Sequence, residues 1–451
     1  MALNKQERAL ADAPIGRLFF RYSIPTVLGL LIFGLQGIID GLFVGNFIGA
    51  EALAAVNVAM PVYSTVIAIT LVFGIGAITL ISTALGKQDY QAANNALRTA
   101  FISLMVITAI ITLGLLTNMQ WVITFLGANE QMRPLVEDYF WGLAPFFILA
   151  VTVFLGDFAL KASGQPVTST TILLGVISCN IALDYLFIAH LQWGVWGAGL
   201  ATGVSYTLGA MVYLSILLSK SSNVTLRCGR FNWRILAPMT YNGLSEGIAD
   251  ASKVLVIFIL NHAMINVFGA EGVAALTVIN YIQYVGITIY LGISDGIVPI
   301  ISYNYGANQP NRMCAVVHYG LAVNMISGLS FFTILFFFAT DIARLFFDDN
   351  TVSAQLFEIV DYGAKIMACA FLFNGANILM SATFTAIHDA TKSILVATSR
   401  GVIFMLIGVV TIISLWGDQY IWFAIPCAEF ITLIIFAPIF LRRIKPERLN
   451  P

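Results

Sequence analysis

The chain has 451 residues, of which 59% are hydrophobic and only 10% charged. A soluble domain carries about 25% charged residues, and so few charges cannot cover a water-facing surface of this size. Twenty-two Lys and Arg nearly cancel 23 Asp and Glu, which argues against a nucleic-acid binder driven by phosphate neutralisation.

Apolar residues come in long blocks, and a bilayer-spanning helix needs roughly 20 of them. Residues 1–16 contain no apolar stretch of the signal-peptide kind. Spans are predicted near 18–45, 53–84, 95–116, 135–160, 167–190 and 195–218. After a polar stretch they resume near 236–267, 273–303, 315–340, 358–386, 393–414 and 421–441. Pro25, Pro61, Pro145 and Pro299 fall inside these runs, where a missing backbone N–H bends a helix. The five cysteines (Cys179, Cys228, Cys314, Cys369 and Cys427) show no CxxC spacing. They read as small buried hydrophobes, not as disulfides or a zinc site.

Basic residues set the orientation, because cytoplasmic loops are rich in Lys and Arg. One side collects Lys5, Arg8, Arg17 and Arg21 at the N-terminus and Arg442, Arg443, Lys445 and Arg448 at the C-terminus. The same side gathers Lys87, Arg98, Lys161, Lys220, Arg227, Arg230, Arg234, Arg312, Lys392 and Arg400. The other side has only Arg133 and Arg344. Both termini are therefore expected in the cytoplasm of a multi-pass protein of the inner (plasma) membrane.

An internal repeat carries the most information. GAEALAA at 49–55 and GAEGVAA at 269–275 are 220 residues apart. The offset persists at Val58/Val278, Gly76/Gly296, Ser82/Ser302 and Gly86/Gly306. A shift of six spans is even, so the halves insert with the same orientation, one of the two ways transporters are duplicated. The expected fold is all-α and polytopic, with twelve transmembrane helices in two six-helix parallel-repeat bundles. The expected division is an N-terminal lobe 1–218, a cytoplasmic linker 219–235 and a C-terminal lobe 236–451.

Three further segments carry a family resemblance: IDGLFVGNFIGAEALAA at 39–55, ISCNIALDYLFI at 177–188 and GISDGIVPIISYNYGANQ at 292–309. Together with the twelve spans and the duplication, they resemble the multidrug and toxic compound extrusion (MATE) antiporters, of the DinF-like and archaeal branches. The third segment departs from the family's usual pattern by placing Asp295 where Gln is common. The resemblance implies a secondary active exporter that moves lipophilic, cationic drugs outward against H⁺ or Na⁺. The alternative is a flippase for lipid-linked substrates in the same superfamily.

Each ionisable group inside a span costs at least about 2.5–3.5 kcal/mol unless paired or wetted, so the chemistry is expected there. Asp40 ends the run LLIFGLQGIID, Asn180 and Asp184 lie one turn apart in span 5, and Thr202 sits in span 6 within GAGLATG. Converging, they would offer hard oxygen ligands for Na⁺, while a close, desolvated carboxyl pair can share one proton. The bland alternative is that both acids cap or bridge neighbouring helices. In the resembled branches the residues matching Asp40, Asn180, Asp184 and Thr202 form the cation site. No other metal, and no cofactor, is expected.

The second half has its own polar set: Glu246, Asp250 and Lys253 on one stripe of span 7, with Asp295 in span 8. Structural pairing and a functional role are both open for it. Lys253 stands near where the drug-extrusion branch has an acid, which removes one Na⁺ option and tilts the coupling ion towards H⁺. Gln36, Phe154, Tyr281 and Gln283 are candidate substrate contacts, and Pro25 a candidate hinge. No GxxxxGK[ST] phosphate loop occurs, and the four histidines lack any HExxH or HxxxD spacing, so neither an ATP-driven pump nor an enzyme is expected. The expected partners are the lipid bilayer and small lipophilic cations, without nucleic acid, and the chain is expected to act as a monomer.

Overall fold

The computed structural model describes residues 5–219, 224–347 and 353–448, so residues 220–223 of the expected linker, with Lys220, lie outside the described residues. Among the described residues the elements are all helical. A short helix, Lys5–Asp12, precedes the spans. Span 1 is Ile15–Phe47, span 2 Ala50–Gly86, span 3 Tyr90–Thr117, span 4 Met132–Ala162, span 5 Pro166–His190 and span 6 Gly194–Leu217. Spans 7 and 8 lie within one helical stretch, Trp233–Gly306, divided where Gly269 leaves helical space (φ 64°, ψ −151°). Span 9 is Pro310–Phe346, and span 10 is the pair Ala354–Ala368 and Phe371–Ala386, bent by 44°. Ala390–Trp416 and Gln419–Arg443 form spans 11 and 12. Counted with the break at Gly269, twelve spans are thus present among the described residues, as the apolar blocks predicted. Pro145 lies in a 3₁₀ turn, Ala144–Phe146, which interrupts span 4.

The repeat reappears in the backbone. Gly49 (φ 131°) ends span 1 and Gly269 ends span 7, and positive φ is a conformation glycine takes without a Cβ penalty. Gln88 (φ 59°) follows span 2 and Asn308 (φ 55°) follows span 8, again 220 residues apart.

The chain forms two compact units. The first comprises 1–13 and 28–243, the second 14–27 and 244–451. In the first, Asn242 Nδ2 donates to Thr79 Oγ1 at 2.9 Å, and a Cβ on Gly243 would lie 1.8 Å from the Val72 carbonyl oxygen. In the second, a Cβ on Gly292 would lie 2.6 Å from Val27 Cα, and one on Gly296 would lie 2.9 Å from Ser23 Cα. Val72 and Gly292, and Ser23 and Gly243, are pairs at the repeat offset. The leading turns of span 7 therefore pack in the first unit as the leading turns of span 1 pack in the second.

The connector before span 7 lies on span 3, held by side chains of that helix's first turns. Asn94 Oδ1 accepts from the Thr225 amide at 2.7 Å and Asn95 Oδ1 from the Arg230 amide at 2.7 Å. Arg98 Nη1 donates to the carbonyls of Leu226 (3.2 Å) and Gly229 (3.1 Å). Gly229 is required there, since a Cβ would sit 2.1 Å from the Asn94 carbonyl oxygen. In the second unit the apolar core includes Leu260, Met264, Tyr290, Phe371 and Trp422.

Candidate functional site

In the first unit, spans 1, 5 and 6 bring the predicted set together. Gln36, Asn180 and Asp184 are buried. Gln36 Nε2 donates to Asn180 Oδ1 at 2.5 Å, and Asn180 Nδ2 donates to Thr202 Oγ1 at 3.3 Å. The Asp40 and Asp184 carboxyls interact directly, and Gln36 also lies against Asp40. Asp40 Oδ1 and both oxygens of Asp184 are buried with no hydrogen-bond partner. Directly after Asp184, span 5 turns into a π-helical segment, Tyr185–His190; such segments are frequent at functional sites.

Three tyrosines that the sequence reading passed over complete the surroundings. The Tyr63 and Tyr206 hydroxyls lie 2.6 Å apart, both within electrostatic reach of Asp40, and Tyr139 is within reach of both acids. Span 6 can come this close to span 4 because Gly199 faces the backbone of Tyr139, where a Cβ would lie 2.7 Å from the carbonyl oxygen. Phe154 lies between Phe33 (ring centroids 5.5 Å apart) and Tyr206 (6.1 Å). Polar aromatics inside apolar spans were the available signal, but among 16 tyrosines nothing in the spacing singles these out.

A desolvated carboxylate is costly unless it is paired or protonated. Two of them side by side, with three oxygens lacking donors, have the chemistry to share one proton or to ligate one small cation.

The second-unit candidates are more dispersed. Lys253 Nζ lies 3.0 Å from Asp250 Oδ1 in a half-exposed pair. Glu246 feels Lys253 and Arg400, and Asp295 is half-buried in span 8. Tyr281 is 52% exposed and stacks on Phe346, whereas Gln283 is buried.

Spans 10, 11 and 12 hold a network that the sequence reading missed. Glu429 Oε1 is 3.8 Å from Arg400 Nε, and Asn377 Nδ2 donates to Glu429 Oε2 at 2.6 Å and to its carbonyl at 2.8 Å. Asn374, with its amide nitrogen turned towards Glu429, donates at 3.1 Å. Arg400 sits in a second π-helical segment, Ser399–Ile403. Arg400, expected among the loop and span-end charges, instead lies within span 11 and is ion-paired, whereas Lys161 is a span-end charge as expected, in the last turn of span 4. Lys161 meets Asp157 at 2.6 Å. An acid alone inside span 12 was the signal for Glu429.

Twelve spans among the described residues and a duplicated frame have the architecture of a multi-pass membrane carrier. The model of one family, MatE, matches twice, over residues 25–186 and again over 251–412. The chain belongs to the MatE family, and it is a membrane transporter of small molecules, not an enzyme. It is 25% identical over 419 residues to a FAD transporter of Shewanella oneidensis, covering 89% of each chain. It is 24% identical over 405 residues to the multidrug export protein MepA of Staphylococcus aureus, covering 87% of this chain and 86% of that one. Its fold matches an outward-facing multidrug resistance MATE family transporter of the MOP superfamily with a TM-score of 0.89 at 23% identity, over 98% of this chain and 99% of the other. A MOP superfamily transporter from Pyrococcus furiosus matches with a TM-score of 0.88 at 23% identity over the same shares. These findings do not favour the lipid-linked flippase.

Proposed function

We propose that the chain is a proton-coupled exporter of lipophilic, cationic drugs in the cell inner membrane, with both termini in the cytoplasm. In this reading the repeat halves 1–218 and 236–451, joined by 219–235, are its working lobes, and it acts as a monomer. The observation that carries the proposal is the buried carboxyl pair of Asp40 and Asp184, three of whose oxygens have no hydrogen-bond partner. The drug substrate is taken from the likeness to MepA. Proton binding and drug occupancy are mutually exclusive, so inward proton flow drives drug outward by a shift between states of different access. Gln36 and Phe154 flank the acid pair and are the first-unit candidates for touching drug, whose charge aromatic faces can attract; Tyr281 and Gln283 are the second-unit candidates.

Protons suit the site better than Na⁺. Asn180 Oδ1 already accepts from Gln36, and Thr202 Oγ1 is held between Asn180 Nδ2 and the Ala198 carbonyl. Two of the four predicted Na⁺ ligands are thus engaged with each other and with the helix, whereas a proton needs only the carboxyls. Liposome counterflow with ΔpH and ΔNa⁺ imposed separately tests this, with ethidium and FAD as alternative cargoes. Ethidium movement driven by ΔpH is the expected result. Movement driven by ΔNa⁺ at fixed pH would overturn the proton assignment, and movement of FAD alone would overturn the drug assignment.

A further inference from the structure

The connector and the helices beside it enclose a cavity of about 660 Å³ in the first unit, away from the acid pair. Its walls come from span 2 (Phe73), span 3 (Ile102, Val106), the connector (Phe231) and the start of span 7 (Trp233, Leu236). Only Ser103 and Thr240 among the lining residues carry polar side chains. The volume falls in the range of about 300–1,000 Å³ typical of ligand sites. It opens outward, since Val106 is 53% and Trp233 75% exposed, and Phe231 meets Trp233 edge to face at 4.7 Å.

The segment that closes one end reads Arg-Phe-Asn-Trp-Arg, residues 230–234. Its two aromatics line the cavity, while Arg230 and Arg234 are exposed on either side, as is Arg227. No acid occurs anywhere in 219–235. The segment is also held in place: besides the bonds from Asn94, Asn95 and Arg98, Thr99 Oγ1 accepts from the Asn232 amide at 3.1 Å. An apolar slot running into the span region, an exposed Trp at its mouth and exposed arginines of an acid-free segment beside it match one ligand chemistry. Trp and Arg favour the interfacial level of a bilayer, and clustered basic residues beside a span attract anionic headgroups.

We propose that this cavity is a binding site for an anionic phospholipid, with an acyl chain in the slot and its phosphate held by Arg230 and Arg234. Bound there, the lipid would clamp the connector against span 3. The experiment uses the full-length protein in nanodiscs, with lipids that stay bound counted by native mass spectrometry. Phosphatidylglycerol and phosphatidylcholine of identical chains are compared at equal mole fraction. Phosphatidylglycerol should be retained preferentially, and Arg230→Gln/Arg234→Gln should lower its retention about tenfold or more while phosphatidylcholine is unaffected. Arg230→Lys/Arg234→Lys should keep most of it, which separates lost charge from lost fold. Val106→Trp, which narrows the slot, should lower retention of both lipids. Equal retention of the two lipids by the unaltered protein would overturn the proposal, as would indifference to the Gln pair. Thermal stabilisation by inorganic phosphate alone, equal to that by phosphatidylglycerol, would also overturn it by showing a free-anion site without a chain.

Discussion

In the first unit, Asp40 and Asp184 present three buried oxygens to which nothing donates; in the second, Glu429 receives Arg400, Asn374 and Asn377. Both units bury carboxylates inside apolar helices, and each marks the place with a π-helical segment, in span 5 and in span 11. The difference lies in who supplies the counter-charge. The second unit carries its own guanidinium, with Arg400 Nε 3.8 Å from Glu429 Oε1. Among the described residues the first has no basic side chain on this pair, and under the proposed function its counter-charge is a proton taken from solution. The positions that match the first unit's acids at the repeat offset carry apolar side chains. Leu260, opposite Asp40, is buried in the apolar core, and Phe404, opposite Asp184, packs against it.

The largest effect expected from this contrast is on transport. Asp40→Asn and Asp184→Asn should each lower ΔpH-driven drug movement by about 100-fold or more, the upper part of ordinary coupling energies. The same variants should unfold at the same temperature as the parent or higher, because a buried group without donors has been neutralised. Full transport by either variant in proteoliposomes would end the assignment of the acid pair.

Arg400→Gln should show the reverse pattern. Removing one partner of a buried ion pair typically costs about 3–5 kcal/mol, through the charge left behind. Thermal unfolding should register that loss, and Arg400→Gln/Glu429→Gln should recover most of it. If the single variant unfolds normally yet uncouples transport, then the second unit's pair belongs to the coupling machinery and the contrast fails.

Leu260→Asp, placed in an Asp40→Asn background, should not restore transport and should cost about 2.5–3.5 kcal/mol as an unpaired acid in an apolar span. Rescue would show the units to be interchangeable. The smallest effect is expected at Pro25, a proline inside the span 1 helix, two residues before the point where the chain passes into the first unit. Pro25→Ala restores a helical hydrogen bond and should slow drug movement several-fold while leaving proton affinity, measured by proton release, unchanged.

The span count, the duplication and the first-unit acids were legible because each rests on local signals. Apolar block length marks a span, GAE marks a repeated break, and an acid in an apolar run marks an expense that needs a reason. The tyrosines near Asp40 were not legible, since nothing along the chain says which face of spans 2, 4 and 6 they occupy. Arg400 was misread for a related reason. Ten residues into its span it resembles a snorkelling end charge, and only the packing of span 12 places Glu429 against it. The connector's attachment to span 3 depends on amide side chains at Gln91, Asn94 and Asn95, which look like ordinary solvated residues at a helix start.

The reciprocal placement of residues 14–27 and 233–243 bears on how such a chain could be built from parts. A gene cut between the repeats would give two polypeptides, each lacking the leading turns that its own compact unit uses and holding those of the other. Val27 and Ser23 fill the notches at Gly292 and Gly296, while Met239 fills that at Gly76 and the Val72 carbonyl that at Gly243. Neither fragment alone could close its notch. Co-expressed, they should complete one another by exchanging those helical ends, as domain-swapped protomers do.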